Sequence, residues 1–379
     1  MHYFEFAQKD ATLYEGTVTQ SQNTGLDEII EVSKHMNDTA TVVNVSRILI
    51  KFDLTTISES IQNSIIPANN TGVNKTKYYL NLYDANPSEL TTDDLLYAYP
   101  VSQSWTMGEG KFYDSPKTTE GVSWRYRTGE TEGDQWISGS NNTGGTWFSG
   151  SGFEASQSYD HETTDMRMEV TDIVNHWIKS SSAYPNEGFI VKRSGSIGNL
   201  NASASEGNST RLGHFKFFSR DTHTIYPPKL EVMWDDSKWV TGSLTASLST
   251  TNLEDMVLYM KGLRPEYKEN SKVRFRLVGR ERYPEKTFST TSDNLVVKAL
   301  PSASSFYSVR DALTEDEIVP FGSGSRLSCD SSGNYFNFWM NGLQPERYYR
   351  LTYRVQSGSG TADETDQYFD EDFEFKVVR

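Results

Sequence analysis

The feature that most constrains this chain is a succession of short runs in which apolar and β-branched residues alternate or cluster, each ended by glycine, serine, asparagine or charge. Arg47-Ile-Leu-Ile-Lys-Phe-Asp-Leu54, Tyr78-Tyr-Leu-Asn-Leu-Tyr83, Met166–Val170, Gly188–Lys192 and Lys229–Trp234 are too short for buried helices and lack a helical period, so they read as core strands. Alternation along the first puts Phe52 and Leu54 on the core face and Asp53 on the other. Aromatic residues make up 13 % of the chain, and the long Ala, Leu, Glu and Lys runs of helical bundles are missing. An all-β fold is predicted.

One helix interrupts the pattern. Thr171 suits an N-cap, Asp172 the first turn, and Ile173, Val174, Trp177 and Ile178 form an apolar face that would close the sandwich, with Trp177 in the core. The charged, small-residue stretch 235–243 loses periodicity and predicts a linker near Ser237. Residues 1–236 are therefore expected to form a β-sandwich, of the jelly-roll kind that the resemblance given below implies. Residues 244–300 and 301–379 are expected to form immunoglobulin- or fibronectin-III-like β-units, as two domains or one.

An internal echo supports the relation between these last two. Leu258-Tyr-Met-Lys-Gly-Leu-Arg-Pro-Glu266 matches Phe338-Trp-Met-Asn-Gly-Leu-Gln-Pro-Glu346 position by position. In the second copy Leu343, Pro345 and Tyr349 have the spacing of a tyrosine corner, in which the phenol bonds back to backbone; Glu269 stands at the equivalent place in the first. The acidic run Asp363–Asp372 is predicted to be a solvated loop before a last strand, Phe373–Val378.

Charge narrows the partners. With 51 acidic and 36 basic residues the formal charge is −15, which repels nucleic-acid phosphates and anionic membrane surfaces, so neither is expected as a partner. No run approaches the roughly 18–20 apolar residues needed to span a bilayer. A single cysteine, Cys329, leaves no intramolecular disulfide and no thiolate zinc cluster. The six histidines fall in no metal-ligand or nucleophile motif, and Asp93 and Asp94 read as capping acids, so no active site is predicted and the chain is expected not to be an enzyme.

Several of these segments, taken in order, carry a resemblance. Asp10-Ala-Thr-Leu with Asn23-Thr-Gly25, Ser46–Leu54, Tyr79–Tyr83, Gly121-Val-Ser-Trp124, Val170–Trp177, Asn186–Val191 and Phe218-Ser-Arg220 before Pro227–Val232 together resemble the DNRLRE (disaggregatase-related) jelly-roll family, also treated as carbohydrate-binding modules. The resemblance covers residues 1–236 and implies a sandwich with a short helix. Phe306–Ala312, Ile318–Phe321 and Leu327–Phe336 look like segments of marine phage structural proteins.

Two function classes follow. The first is a non-enzymatic structural protein of a virus or phage particle, in a tail, baseplate, neck, fibre or capsid-decoration role. It would be assembled in the host cytoplasm, since Met1–Asp10 has no export signal, and would act through interfaces with copies of itself or other virion proteins. The loops 138–152 and 194–210 would then order against neighbours. The alternative is a carbohydrate-binding module acting outside the cell on host glycans or polysaccharide. Trp136, Trp147, Phe148 and Phe153, set among glycines, are the candidate sugar platforms or interface anchors. No cofactor is expected beyond a structural Ca²⁺, for which Asp10, Asp53, Asp172 and Asp235 are the candidate ligands.

Overall fold

The structure is a computed structural model that describes residues 1–36, 43–68, 76–88, 90, 93–130, 134–136, 144–160, 164–193, 206, 212–240, 256–284, 288, 290–291, 296–301, 303–356 and 366–379. It is all-β, of sandwich type, and divides into two compact units. The larger comprises Phe4–Asn69 and Lys77–Val232; the smaller comprises Met1–Tyr3, Asn70–Thr76 and Met233–Arg379.

The larger unit is built on a ten-stranded sheet. Its strands are β1 (His2–Tyr14), β2 (Ile29–Met36), β3 (Val43–Phe52), β4 (Lys77–Leu82), β5 (Asp94–Pro100), β6 (Ala155–Tyr159), β7 (Met166–Glu169), β8 (Phe189–Lys192), β9 (Leu212–Phe218) and β10 (Lys229–Met233). The path runs β6-β5-β8-β3-β1-β10-β4-β7, with β2 on β3 and β9 on β2. Strand β3 branches it: Val43–Val45 pair with β2, whereas Ser46–Phe52 pair with β1 and Ile48–Ile50 also with β8. The two end strands are tied by one side chain, Gln157 of β6, which donates to Asp165 O at 3.1 Å and accepts from the Arg167 N–H of β7 at 2.9 Å.

Each run read as a strand in this unit is one, and Phe52 and Leu54 are buried while Asp53 is exposed. Among the described residues of this unit two α-helices occur where one was expected. The first, α1 (Thr55–Gln62), buries only Ile57 and so has almost no apolar stripe to announce it; the Asp53 carboxylate accepts from the Thr55 N–H at 3.0 Å and starts its first turn. The second, α2 (Thr171–Lys179), buries Ile173, Val174 and Trp177 as expected. Its N-cap is Val170, however, because the Thr171 hydroxyl is used elsewhere, accepting the Tyr78 N–H at 3.1 Å.

Asp94 also departs from expectation. Instead of capping a turn it opens β5 and forms a buried ion pair with Arg193 of the segment after β8. Both side chains are almost inaccessible, so each charge requires the other.

The smaller unit is a sandwich of two sheets. One has the order β11 (Met256–Met260), β13 (Lys272–Glu281), β17 (Gly333–Trp339), β16 (Ser328–Asp330); the other β12 (Glu266–Lys268), β19 (Gln367–Val378), β18 (Tyr348–Val355), β14 (Ser305–Asp311), β15 (Glu317–Val319). Aromatic rings interlock between them: Tyr307 stacks on Phe336 at 4.0 Å, and Phe275 lies 5.4 Å from Phe375. Because β13 pairs with β17, and β12 with β19, segments 244–300 and 301–379 share both sheets and form one unit.

The linker expected near Ser237 is structured. Asp235 pairs with Arg326 at 2.8 Å, Ser328 Oγ accepts the Lys238 N–H at 3.1 Å, and Trp239 bridges Cys329, covering the outer side of β16. The tyrosine corner is present: the Tyr349 hydroxyl donates to Gln344 O at 2.8 Å. The acidic run is in part a strand, since β19 begins at Gln367; Asp370 lies 3.7 Å from Arg350, and Asp366 just before it 3.5 Å from Arg354. Cross-strand arginines thus offset two of the acids, while Glu371 and Asp372 stay exposed to solvent.

Candidate functional site

The aromatic candidates are absorbed by the fold. Trp136 is 4 % exposed, lies in one core cluster with Trp105, Trp124 and Tyr99, and donates its indole N–H to Ser123 O at 3.0 Å. Trp147 is half-buried against the same cluster, with the Arg47 guanidinium 5.3 Å from its ring and Lys192 Nζ 4.5 Å from it. The Glu206 carboxylate binds Arg47 through two bonds of 3.2 and 2.8 Å and lies 3.4 Å from Lys192. Burial pulls the Lys192 ammonium down to about 8. Phe148 and Phe153 pack on Tyr184, and Phe153 also stacks on His176 of α2 at 4.2 Å. Each of the four thus has a partner within this chain, Trp136 fully buried and Trp147, Phe148 and Phe153 half-buried. Residues 137–143 and most of 194–210, which held the rest of the expected interface loops, lie outside the described residues.

The candidate calcium ligands are scattered. Asp10 is buried in β1 and accepts the Arg220 N–H at 2.7 Å; Asp53 serves α1; Asp172 is exposed in the first turn of α2, where it complements the helix dipole; Asp235 belongs to the smaller unit. Among the described residues no three His, Cys, Asp or Glu side chains gather as a metal site.

What the larger unit does present is a two-lobed groove, with lobes of about 450 and 400 Å³ that share Tyr14, Glu31 and Phe112. One lobe is lined by Glu15 to Thr19, Ser33, Asn44 and Val45; the other by Asp27, Glu28, Ile29, Lys111, Tyr113 and Lys216. Its floor is the end of β1 against β2 and β3. Its wall is the tip 110–114 of the long irregular segment that follows β5.

That tip is held rigidly. The Asn23 side chain, wholly buried, donates to Met107 O at 2.6 Å and Val122 O at 2.8 Å, and accepts from the N–H groups of Gly110 and Gly25 at 2.7 and 3.2 Å. Gly108 and Gly121 sit against it at φ +82° and +103°; a Cβ on Gly108 would fall 2.4 Å from Asn23 Oδ1, so only glycine fits. Beyond this knot, Gln22 Nε2 donates to Lys111 O at 3.0 Å, Asp27 Oδ1 accepts the Phe112 N–H at 3.1 Å, and Asp114 accepts the Lys111 N–H at 2.8 Å. Phe112 consequently rests on Tyr14, with ring centroids 4.7 Å apart, and Tyr113 stands edge-on to it at 5.1 Å and 92 % exposed.

The carboxylates around the aromatics differ in state. Burial pushes Asp27 up to about 6, against the Phe112 N–H and Lys111, which favour its charge. Burial works on Glu31 too, but His214, whose Nδ1 lies 4.0 Å away, the Tyr14 hydroxyl and Lys216 hold it below the usual carboxylate range. Burial raises Glu15, although it accepts the Val45 N–H at 3.2 Å. The groove thus offers acceptors beside aromatic rings set edge-to-face on a fixed frame. Tyr113 stood in the aromatic-rich segment of the sequence, but Tyr14 and Asp27, the partners of its neighbour Phe112, are far off in the chain, so no local spacing gathers the site.

No family model matches this chain, and no curated protein does.

Proposed function

We propose that this chain is a non-enzymatic binding protein whose larger unit holds a carbohydrate in the groove beside Phe112, as an attachment subunit of a virus or phage particle. The observation that carries the carbohydrate reading is the pairing of the Phe112–Tyr113 aromatic surface with the carboxylates of Asp27 and Glu31. Sugars present an apolar face to rings and vicinal hydroxyls to acceptors, and a groove of several hundred Å³ suits one or two residues of an oligosaccharide. The DNRLRE-like order of motifs in residues 1–236 supports the same reading.

The test is a glycan array probed with the full chain, followed by titration calorimetry on the glycans retained. Phe112→Ala and Tyr113→Ala should each cost about tenfold or more in affinity, on the scale of one aromatic contact, with thermal melting unchanged for the exposed Tyr113. An array with no retained glycan overturns the proposal. Equal binding by both variants moves the site elsewhere.

A structural role in particle assembly is favoured by a different observation, in the smaller unit: Tyr283 and Phe288, close together after β13, are 78 % and 107 % exposed. Exposed aromatics clustered in one stretch suit a subunit interface. Phe288→Ser should then lower self-association, or incorporation into particles, in sedimentation and pull-down assays.

A further inference from the structure

We infer that the groove selects saccharides carrying free ammonium groups, that is cationic amino sugars, over their N-acetylated, neutral or uronic-acid counterparts. This rests on the carbohydrate reading and specifies its ligand class. Charge complementarity in a partly desolvated cleft sets this selection. Glu15, Asp27, Glu28 and Glu31 line the two lobes, whereas the lysines among the lining residues are Lys111 and Lys216. Lys111 is already 3.9 Å from Glu28, and Lys216 lies on the Glu31 side.

In the lobe that carries Phe112 and Tyr113, Asp114 and then Glu31 oppose the ionisation of Asp27, and Lys111, which favours it, is shared with Glu28. A sugar hydroxyl in this lobe gains a hydrogen bond but leaves that repulsion in place. An ammonium donates up to three hydrogen bonds and removes the repulsion as well, and partial burial of the carboxylates keeps water from screening the gain. An N-acetyl group cancels the charge and adds a carbonyl acceptor where acceptors already crowd; a uronate carboxylate adds one more like charge. A metal ion is the other cation to consider, but among the described residues the acids do not converge as a ligand set.

The experiment is calorimetry of the full chain with four oligosaccharides of equal length: β-1,4-linked glucosamine, N-acetylglucosamine, glucose and a uronate. The glucosamine oligomer should bind about 10- to 100-fold more tightly than its N-acetylated form, the range of a hydrogen bond to a charged group, and the uronate most weakly. Asp27→Asn keeps an acceptor for the Phe112 N–H, and Glu31→Gln keeps the side-chain shape; in each variant the ratio of glucosamine to N-acetylglucosamine affinity should fall to about one, whatever happens to the absolute affinities. If the N-acetylated or uronate oligomer binds as well as the amine, the inference fails and the carbohydrate reading stands. If both variants keep the preference, it comes from the overall charge of −15 and the inference fails. If no oligomer of any class binds, the carbohydrate reading itself falls.

Discussion

Asparagine in place of Asp10 should flatten the pH dependence of the larger unit's stability. Asp10 is 1 % exposed in the middle of β1, and its carboxylate accepts the Arg220 N–H at 2.7 Å. Burial is the main influence on it, outweighing that hydrogen bond and the Arg220 charge, and Asp221 adds a like charge; together they push the group from 3.8 up to about 7. A carboxyl whose folded value is raised binds its proton more tightly in the native state. Its contribution is therefore fully favourable below about pH 4 and is lost as pH rises through about 7. At roughly 1.4 kcal/mol per tenfold change in proton affinity, the swing across that window is about 4 kcal/mol at most, and on the order of 2–4 kcal/mol after relaxation around the charge. Asparagine resembles the protonated acid in shape and keeps an oxygen for the Arg220 N–H. Urea titrations of both proteins at pH 4.5, 6 and 8.5, followed by tryptophan fluorescence, give the stability difference at each pH. The variant should gain on the wild type by about 2 kcal/mol or more between the ends of the series. A difference that stays constant within about 0.5 kcal/mol would refute the argument, since a carboxyl ionised like any other has no such swing. If 1 mM Ca²⁺ abolishes the swing in the wild type alone, Asp10 is a metal ligand after all.

Other perturbations probe the rest of the framework. Asn23→Ala removes four side-chain hydrogen bonds at the root of the groove; unfolding should become about 3 kcal/mol or more easier in urea, and glycan binding should fall with it because Phe112 loses its anchor. Glu206→Gln strands the buried charges of Arg47 and Lys192 and should cost about 3–5 kcal/mol, read from the shift in urea midpoint. Tyr349→Phe deletes the corner hydrogen bond but keeps the ring in the core; a loss of about 1 kcal/mol in the second unit's melting is expected, and a loss above 3 kcal/mol would mean the ring had moved.

The strands were legible because each carries its own alternation or apolar cluster: β3, β4, β7, β8 and β10 fall on the runs that announce them. The same local logic failed for side chains whose partners are remote. Trp136 and Trp147 lie among glycines and read as candidate platforms or interface anchors, yet Trp136 fills a core shared with Ala11, Leu13 and Ile190, and Trp147 lies between cations from β3 and β8. Glycine there signals close backbone approach rather than openness, as Gly144 shows: it meets the Trp124 ring and Arg47. The groove was illegible for the same reason. Its aromatic surface comes from Tyr14 and Phe112, which nothing in the sequence relates until Gln22, Asn23 and Asp27 tie the tip to the end of β1.

The internal echo shows most directly what a repeated motif specifies. Leu258–Glu266 and Phe338–Glu346 were read as the marks of two successive β-units, but both copies do one job in a single sandwich. In each, a strand of the four-stranded sheet ends at or just before the Met, β11 at Met260 and β17 at Trp339; the chain turns through Gly-Leu and passes Pro-Glu on its way into the five-stranded sheet, as β12 from Glu266 or β18 from Tyr348. The two arrivals flank the same strand. Pro265 O accepts the Lys376 N–H of β19 at 2.8 Å, and the Glu346 N–H donates to Val377 O at 2.6 Å, so β12 runs parallel to β19 on one side and β18 antiparallel on the other. Proline suits the approach to both, since it donates no hydrogen bond before the ladder begins and fixes φ for the turn. The copies then diverge for a physical reason. β18 continues as a long inner strand and requires its corner locked by Tyr349, whereas β12 stops after Lys268 as a three-residue edge, where Glu269 already donates its N–H to Val378 O and turns away. A motif at a sheet-to-sheet corner thus encodes the crossing, and the residues after it decide whether the strand that follows becomes core or edge.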